Sequence, residues 1–429
     1  MTTQLPTVTV IVLNWNGRTH LADCFDSLLA LDYPHERLTL MLVDNGSTDD
    51  SVAFMREHYP QVTLVLNDHN LGFAGGNNAG ARAASTDTIA FLNNDAHVYP
   101  DWLSKLVEAI RSDPEVICAG SRLMNITGER VEFGGSSINF YGYGYQEGYD
   151  RGNVSQYEGT HPVIFACGGA LLVQRDIFLD SGGFDEDYFA NYEDVDLGWR
   201  LWVLGYKVLY VGAAVVVHKH HGTQQQVPDA SRRALLERNA MLTMIKNYDD
   251  ENLARVWPAA WMLVIKRLYL MSGIDANTYR IGYPAPQIAA PPKPVKGARW
   301  IRLLREEGPI EFYRRAISLV RRKLGKTDPA YPPPDRHTLP GVEPGYEQVS
   351  RLALAHLVAA NDVVDLLPHL LEKRATVQAA RRRRDEDIFA LFGRPFDLSF
   401  FDPQYEATQQ QITQLLGVDK MIAGEAHKY

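Results

Sequence analysis

Cysteine is scarce in this chain: 429 residues contain only Cys24, Cys118 and Cys167, none in a Cys-x-x-Cys pair. That excludes a disulfide framework and a cysteine-built zinc site, and it points to a reducing, cytoplasmic setting. Long apolar runs are missing too. The best span candidate, Val256–Met271, is interrupted by Pro258 and by Lys266–Arg267 and falls short of the ~20 apolar residues a membrane-crossing helix needs, so no transmembrane helix is predicted. The amino terminus lacks a basic start, and its apolar run Val8–Leu13 is too short for a signal peptide. Positive charge is in deficit, with 43 Lys and Arg against 52 Asp and Glu and a formal net charge of -9, which argues against wholesale nucleic-acid binding. A GxGxxG fingerprint is absent as well. Gly72, Gly75, Gly76 and Gly80 have another spacing and follow a third strand rather than a first, which sets a Rossmann dehydrogenase aside.

What the chain does have is an alternation of short apolar runs with helical patterns. Val8–Leu13 reads as a buried strand, followed by the turn Asn14–Gly17 and a helix with Leu21, Phe25, Leu28 and Leu29 on its apolar face. Leu38–Val43 is a second strand ending on Asp44, with Ser47 or Thr48 as caps for a helix bearing Val52, Phe54 and Met55. Val62–Leu66 is a third strand, after which Asn70–Gly80 reads as a glycine-rich loop leading into a short helix. Its glycines serve either tight helix–strand packing or close backbone approach to a nucleotide. Thr88–Leu92 is a fourth strand, covered on both faces. Asp101–Ser112 is a helix and Val116–Gly120 a further strand. Units of this kind build a doubly wound, mostly parallel α/β sheet.

Polar residues cluster where these strands end. Asn93, Asn94 and Asp95 leave the fourth strand at the carboxyl edge, where open α/β sheets bind ligands. A carboxylate there can accept a divalent cation, Mg²⁺ or Mn²⁺, that also holds phosphate oxygens, although Asn and Asp are ordinary turn formers too. Gly134–Tyr149 reads as hairpins or a loop over the site, where Tyr141, Tyr143, Tyr145 and Tyr149 either stack on sugars or pack the loop. Phe165–Val173 is a strand kinked at Gly168–Gly169. Glu193–Asp194 open a helix with Val195, Leu197, Leu201 and Leu204 buried, a placement that plain dipole capping also explains. Lys207–Val211 and Ala214–Val217 follow as strands, the second ending in His218-Lys219-His220-His221, a candidate source of a metal ligand.

Five blocks in order, VTVIVLNWNG, LMLVDNGSTDDS, NLGFAGGNNAG, FLNNDAHV and FDEDYFANYEDVDLGWRLWVLGYKVLYV, the last followed by VVVHKHHGT, resemble the family 2 inverting glycosyltransferases of the GT-A fold, especially the rhamnosyltransferase-like branch. The resemblance covers residues 7–245. It implies a GT-A catalytic domain over 1–245; beyond it, composition and spacing read as amphipathic helices and proline-rich linkers over 246–335 and a helical region over 336–429. It also implies Leu13 and Trp15 at the nucleotide base, Asp44 at the base or ribose, and Gly76, Asn78 and Asn93 along the nucleotide cleft. Asp95 and His218 become metal ligands, Asp194 the general base, and Glu193 its neighbour. The family's Asp-x-Asp is here Asn93-Asn94-Asp95, one carboxylate fewer. The implied donor is a nucleoside-diphosphate sugar, dTDP-rhamnose or a UDP-sugar, and the acceptor a glycan or lipid-linked glycan. Two other readings stand beside it. A sugar-nucleotide pyrophosphorylase is expected to carry a basic glycine-rich loop after its first strand, where this chain has Asn14-Trp15-Asn16-Gly17; a non-catalytic glycan-binding scaffold is expected to turn nothing over.

Beyond Lys246, Tyr283–Pro294 and Asp328–Gly345 read as proline-rich linkers. Between them, Lys293–Lys326 holds 11 Lys or Arg against 3 Asp or Glu, and Trp300–Leu304 and Phe312–Leu324 place apolar residues at helical spacing beside arginines. That composition suits peripheral contact with an anionic membrane, or packing on the catalytic domain or a second subunit of a homo-oligomer. Gln348–Leu371 and Thr376–Phe392 read as helices, the second with the basic run Arg381–Arg384 as a solvated face.

Overall fold

Aliphatic runs covered on both faces form the centre of the molecule. The computed structural model describes residues 4–219, 229–274 and 349–424; the basic segment Lys293–Lys326, both proline-rich stretches, His220 and His221 lie outside them. Strands β1 (Val8–Asn14), β2 (Leu38–Asp44), β3 (Thr63–Leu66) and β4 (Thr88–Asn93) are parallel in the order β3-β2-β1-β4. Helices α1 (Arg18–Leu29), α2 (Ser51–His58) and α3 (Gly72–Ala83) connect them. Register fixes the site: Leu13 sits opposite both Val43 and Asn93, so Asn14, Asp44 and the turn after Asn93 leave the sheet at one level.

The chain then adds β5 (Ala96–Val98), α4 (Trp102–Arg111), β6 (Val116–Met124), β7 (Val131–Phe133), the hairpin β8 (Ser136–Ile138) and β9 (Gly144–Gln146), β10 (Thr160–Pro162), β11 (Ala170–Gln174), α5 (Arg175–Asp180), α6 (Glu193–Val203) and β12 (Lys207–His218). The sheet continues from β4 as β11-β6-β12-β10, with β11 antiparallel between β4 and β6, and β12 parallel to β6. Its long strands are mostly parallel, with β11 inserted antiparallel and the short strands β5, β7 and β10 pairing antiparallel to β12, β6 and β12. Short β5 pairs with the end of β12, which brings His218 opposite Ala96 and so beside Asp95.

Several expectations change. The glycine-rich stretch is itself helix α3, because Gly76 and Gly80 face the sheet: a Cβ would come within 2.4 Å of Leu13 at Gly76, and within 2.7 Å of Ile11 and 2.8 Å of Val43 at Gly80. On α1, Leu29 is exposed and Cys24 takes its place on the buried face. Asp50, not Ser47 or Thr48, stands at the start of α2; Ser47 and Thr48 instead bond Asn14 and Asn16 across the sheet edge. Residues 165–169 are not strand, Leu204 is only half-buried, and the two strands expected over 207–217 are one, irregular between Val211 and Val215. Tyr141 and Tyr143 are core residues, which answers the packing reading rather than the sugar-stacking one for those two.

Helices α7 (Asp229–Asn247), α8 (Asp250–Ser272), α9 (Arg351–Ala379), α10 (Pro403–Leu415) and α11 (Val418–Ile422) follow. They share the core of the sheet, since Val256, Leu263, Val363, Leu370, Phe389 and Tyr405 belong to one continuous buried cluster with it, and no break falls at residue 245. The two expected helices of residues 348–392 are instead one long helix to Ala379 followed by 3₁₀ turns. The basic run is only in part a solvated face: Arg382 and Arg384 are exposed, but Arg381 pairs with Asp385 at 2.8 Å, and Arg383 donates to the Tyr206 carbonyl and to Glu115. Helix α9 is the one described helix long and apolar enough to cross a membrane by length and composition.

Among the charges buried there, Glu237 lies 2.5 Å from Arg267 and 3.2 Å from His356, all within the α7–α8–α9 packing. Burial alone would raise the Glu237 carboxyl, but the Arg267 charge holds it down to about 2. Its contribution to stability is therefore full above the ordinary value of 4.5 and is lost as pH falls toward about 2. Glu237→Ala, which strands a buried guanidinium, is expected to cost about 3–5 kcal/mol in urea denaturation at neutral pH.

Candidate active site

A polar layer caps the carboxyl ends of β1, β2 and β4. Buried Asn14 donates to Asp44 Oδ1 and Ser47 Oγ, both at 3.2 Å, and accepts from Asn94 Nδ2 at 2.8 Å. Asp44 accepts the Ser47 amide at 2.9 Å, so its carboxylate is fixed at the edge and buried. Gly17 allows α1 to start against this layer, since a Cβ there would meet Asn94 Nδ2 at 2.1 Å. Leu13 and Trp15 flank it half-buried.

Next to that layer, Asp95 and His218 meet. His218 Nε2 is 3.2 Å from Asp95 Oδ1 and 3.3 Å from Asn93 Nδ2, while its Nδ1 is 2.9 Å from Glu132 Oε2 on β7. Asp95 and Glu132 are both buried. Burial by itself would lower the imidazole, yet hydrogen bonds and charge from Asp95 and Glu132 push it up to about 9. Burial likewise opposes ionisation of Asp95, and the His218 imidazolium outweighs it and holds that carboxyl below its ordinary value.

The acidic pair lies across a two-glycine link from this cluster. Gly168 N donates to Asp194 Oδ2 at 2.9 Å, and Gly169 O accepts from Asn93 N at 2.9 Å. A Cβ on Gly168 would lie 3.3 Å from Asp194 Cβ and 3.2 Å from Phe73, and one on Gly169 would lie 2.7 Å from Asn93 Nδ2. Asp194 and the Asn93–Asp95 turn therefore flank one short stretch of bare backbone. Burial raises the Asp194 carboxyl, against the lowering pull of the Gly168 and Val195 amides. Glu193 is driven well above its ordinary value by burial and by the Asp194 charge, and its Oε2 has no hydrogen-bond partner. Ionisation is thus disfavoured at both carboxyls, more strongly at Glu193 than at Asp194.

The structure brings Asp44, Asn93, Asp95, His218, Glu193 and Asp194 to one edge. It does not leave Asn78 free to face a nucleotide: its Nδ2 donates to Phe184 O at 2.7 Å and Glu186 Oε1 at 3.0 Å, and its Oδ1 accepts from Phe184 N at 3.0 Å. Gly76 likewise makes room for Leu13 and Asn45. Sequence reasoning missed Glu132, because a lone glutamate in a three-residue strand carries no pattern and meets His218 only across 86 positions.

Residues 9–180 match the family described as Glycosyl transferase family 2. O-antigen biosynthesis protein RfbC of Myxococcus xanthus is 29% identical over 237 residues, which are 52% of this chain but only 18% of that protein. N-acetylglucosaminyl-diphospho-decaprenol L-rhamnosyltransferase of Mycobacterium tuberculosis is 30% identical over 249 residues, 52% of this chain and 78% of the relative. Among solved structures, GalNAc-T7 with UDP, GalNAc and Mn²⁺ has 16% identity and a TM-score of 0.49 over 60% of this chain and 52% of that one.

Proposed function

The chain belongs to glycosyl transferase family 2, and from that premise we propose that it is an inverting transferase moving a sugar, rhamnose first among candidates, from a nucleoside diphosphate to a glycan or lipid-linked glycan acceptor at the cytoplasmic side. The observation that supports this reading is the Gly168–Gly169 link, whose first residue contacts Asp194 and whose second contacts Asn93, the neighbour of Asp95 and partner of His218. Asp194 takes the proton of the acceptor hydroxyl as that oxygen bonds to the anomeric carbon and the bond to the diphosphate breaks. One displacement inverts the centre, so no enzyme nucleophile is required. Its pKa, raised by burial, makes the Asp194 carboxylate a better proton acceptor than an ordinary aspartate.

Asp95 Oδ1 and His218 Nε2, 3.2 Å apart, suit a divalent cation completed by phosphate oxygens and water, and Glu132 on His218 Nδ1 is the orienting carboxylate that metal-bound imidazoles ordinarily have. No cluster of three or more His, Cys, Asp or Glu able to hold a metal occurs among the described residues, so the donor's phosphates must supply the remaining ligands. When bound, Mg²⁺ or Mn²⁺ neutralises charge on the departing diphosphate. Asp44 and the half-buried Leu13 and Trp15 supply the nucleotide's base and ribose contacts. Glu132→Gln, which keeps an acceptor for Nδ1 but removes its charge, is expected to weaken Mn²⁺ affinity about 10-fold by titration calorimetry.

A panel of nucleoside-diphosphate sugars, read by released nucleoside diphosphate with and without Mn²⁺, tests the function. Turnover of a thymidine- or uridine-linked donor is expected. Silence toward every donor in the presence of acceptor glycolipid would favour a binding scaffold instead.

A further inference from the structure

We propose that Asn239 of α7 is the positioning residue for the Glu193–Asp194 pair, and that the helices beyond the sheet act on the reaction through it; this rests on the reading of Asp194 as general base. The segment leading into α6 is in unfavourable backbone geometry. Phe189, Asn191 and Tyr192 have φ of 60°, 69° and 68°, so three of the four residues before Glu193 are non-glycine residues in the left-handed region. Such conformations persist only where the surroundings over-determine them.

Asn239 does much of that. Wholly buried, it directs its side-chain amide at three carbonyls of the strained turn, Tyr188 at 3.0 Å, Ala190 at 3.0 Å and Asn191 at 2.7 Å. Its Oδ1 accepts from Arg238 Nε at 2.9 Å, and Arg238 in turn donates to Asp187 O at 2.7 Å and Tyr188 O at 3.1 Å. From the opposite side, Phe189 O takes the amides of Phe73 and Ala74 at the start of α3. Helix α9 adds an outer latch: Lys373 Nζ lies 2.5 Å from Asp185 Oδ1 and 2.6 Å from Asp187 Oδ2, and Lys246 of α7 takes Asp185 Oδ2 at 2.5 Å.

These contacts end one residue before the pair. Tyr192 is the residue from which α6 starts, Glu193 and Asp194 are its first two positions, and the Asp194 carboxylate reaches the Gly168 amide only in that orientation. Without the Asn239 donors, the Ala190 and Asn191 carbonyls lose the amide that holds them while Tyr188 O keeps Arg238, the left-handed residues relax, and the first turn of α6 rotates Asp194 away from Gly168. Nothing in the Asp95–His218 cluster depends on Asn239, so donor binding is separable from the base. This assigns the α7–α9 packing a part in catalysis as well as in stability.

The test compares Asn239→Ala, Asn239→Asp, Asp194→Asn and the Asn239→Ala/Asp194→Asn double variant in the full chain. Misplacing a reacting group by an ångström costs up to about 100-fold, so Asn239→Ala is expected to lower kcat about 10- to 100-fold with the donor Kd within about twofold of wild type. Asn239→Asp, which turns a carboxylate toward three carbonyl oxygens, is expected to do so more severely. Because Asn239 acts through Asp194, the double variant should be no slower than Asp194→Asn alone. Additive losses, or kcat and donor affinity falling together with the melting temperature, would make Asn239 a residue of the fold only and overturn the proposal. So would wild-type kcat in folded Asn239→Ala. Should Asn239→Asp fail to fold, Asn239→Ala and the double variant decide the matter between them. Normal turnover in Asp194→Asn rejects the base assignment itself, a result distinct from a dead Asp194→Asn beside an active Asn239→Ala.

Discussion

Asp194→Asn is expected to reduce glycosyl transfer by about 10²–10⁴-fold while leaving donor affinity close to wild type, because the substitution removes the proton acceptor and little of the surface. Asparagine keeps one oxygen for the Gly168 amide and gives up only the acceptor of the adjacent Val195 amide, so the main tie between α6 and Gly168 is retained. The same residue sets a pH dependence. Burial raises its folded-state pKa above the ordinary 3.8, so the base is lost on acidification at a higher pH than a solvent-exposed aspartate would be, and kcat should fall as pH drops through that raised value. The corresponding stability sign is opposite: a carboxyl harder to ionise when folded contributes less stability as pH rises through the same range. Initial rates across pH in the wild type, paired with calorimetric donor binding in Asp194→Asn, check both parts. Near-normal turnover in the variant would remove Asp194 from the mechanism.

The second large effect belongs to Asp95. Its replacement by Ala strips away the carboxylate 3.2 Å from His218 Nε2, and transition-state charge stabilisation of several kcal/mol goes with the cation, about 10²-fold or more in kcat/KM. His218→Ala should be milder, since Asp95 and the phosphates remain. In wild type, EDTA should reproduce most of the Asp95→Ala loss, and the variant itself should be insensitive to EDTA. Equal rates with and without chelator in the wild type would sink the metal reading.

The sheet was legible because β1, β2 and β4 are near-continuous aliphatic runs closed by Asn or Asp, a signal that survives without any tertiary information. Asp95, His218, Glu193 and Asp194 could be picked out because each follows a strand or opens a helix at the sheet's carboxyl edge. Glycines misled: in Gly72–Ala83 they read as a loop, whereas Gly76 and Gly80 lie one turn apart on a helix face pressed against β1 and β2. Asn78 was misplaced for a related reason, since its partners Phe184 and Glu186 come from more than 100 positions away. Glu132 and Asn239 acquire their meaning only from contacts made after folding. The basic run Arg381–Arg384 reads as a solvated face until the carbonyls of Asn247 and Tyr206 are beside it.

The central claim is that Asp95 and His218 hold the donor's cation on the opposite side of Gly168–Gly169 from Asp194. Anomalous scattering from a crystal grown with Mn²⁺ and a nucleoside diphosphate tests it most directly. The account predicts one peak within about 2.0–2.4 Å of Asp95 Oδ and His218 Nε2, bridged to the diphosphate, with Asp194 free of the metal. A nucleotide bound with its metal on other residues, or with Asp194 among the ligands, would contradict it.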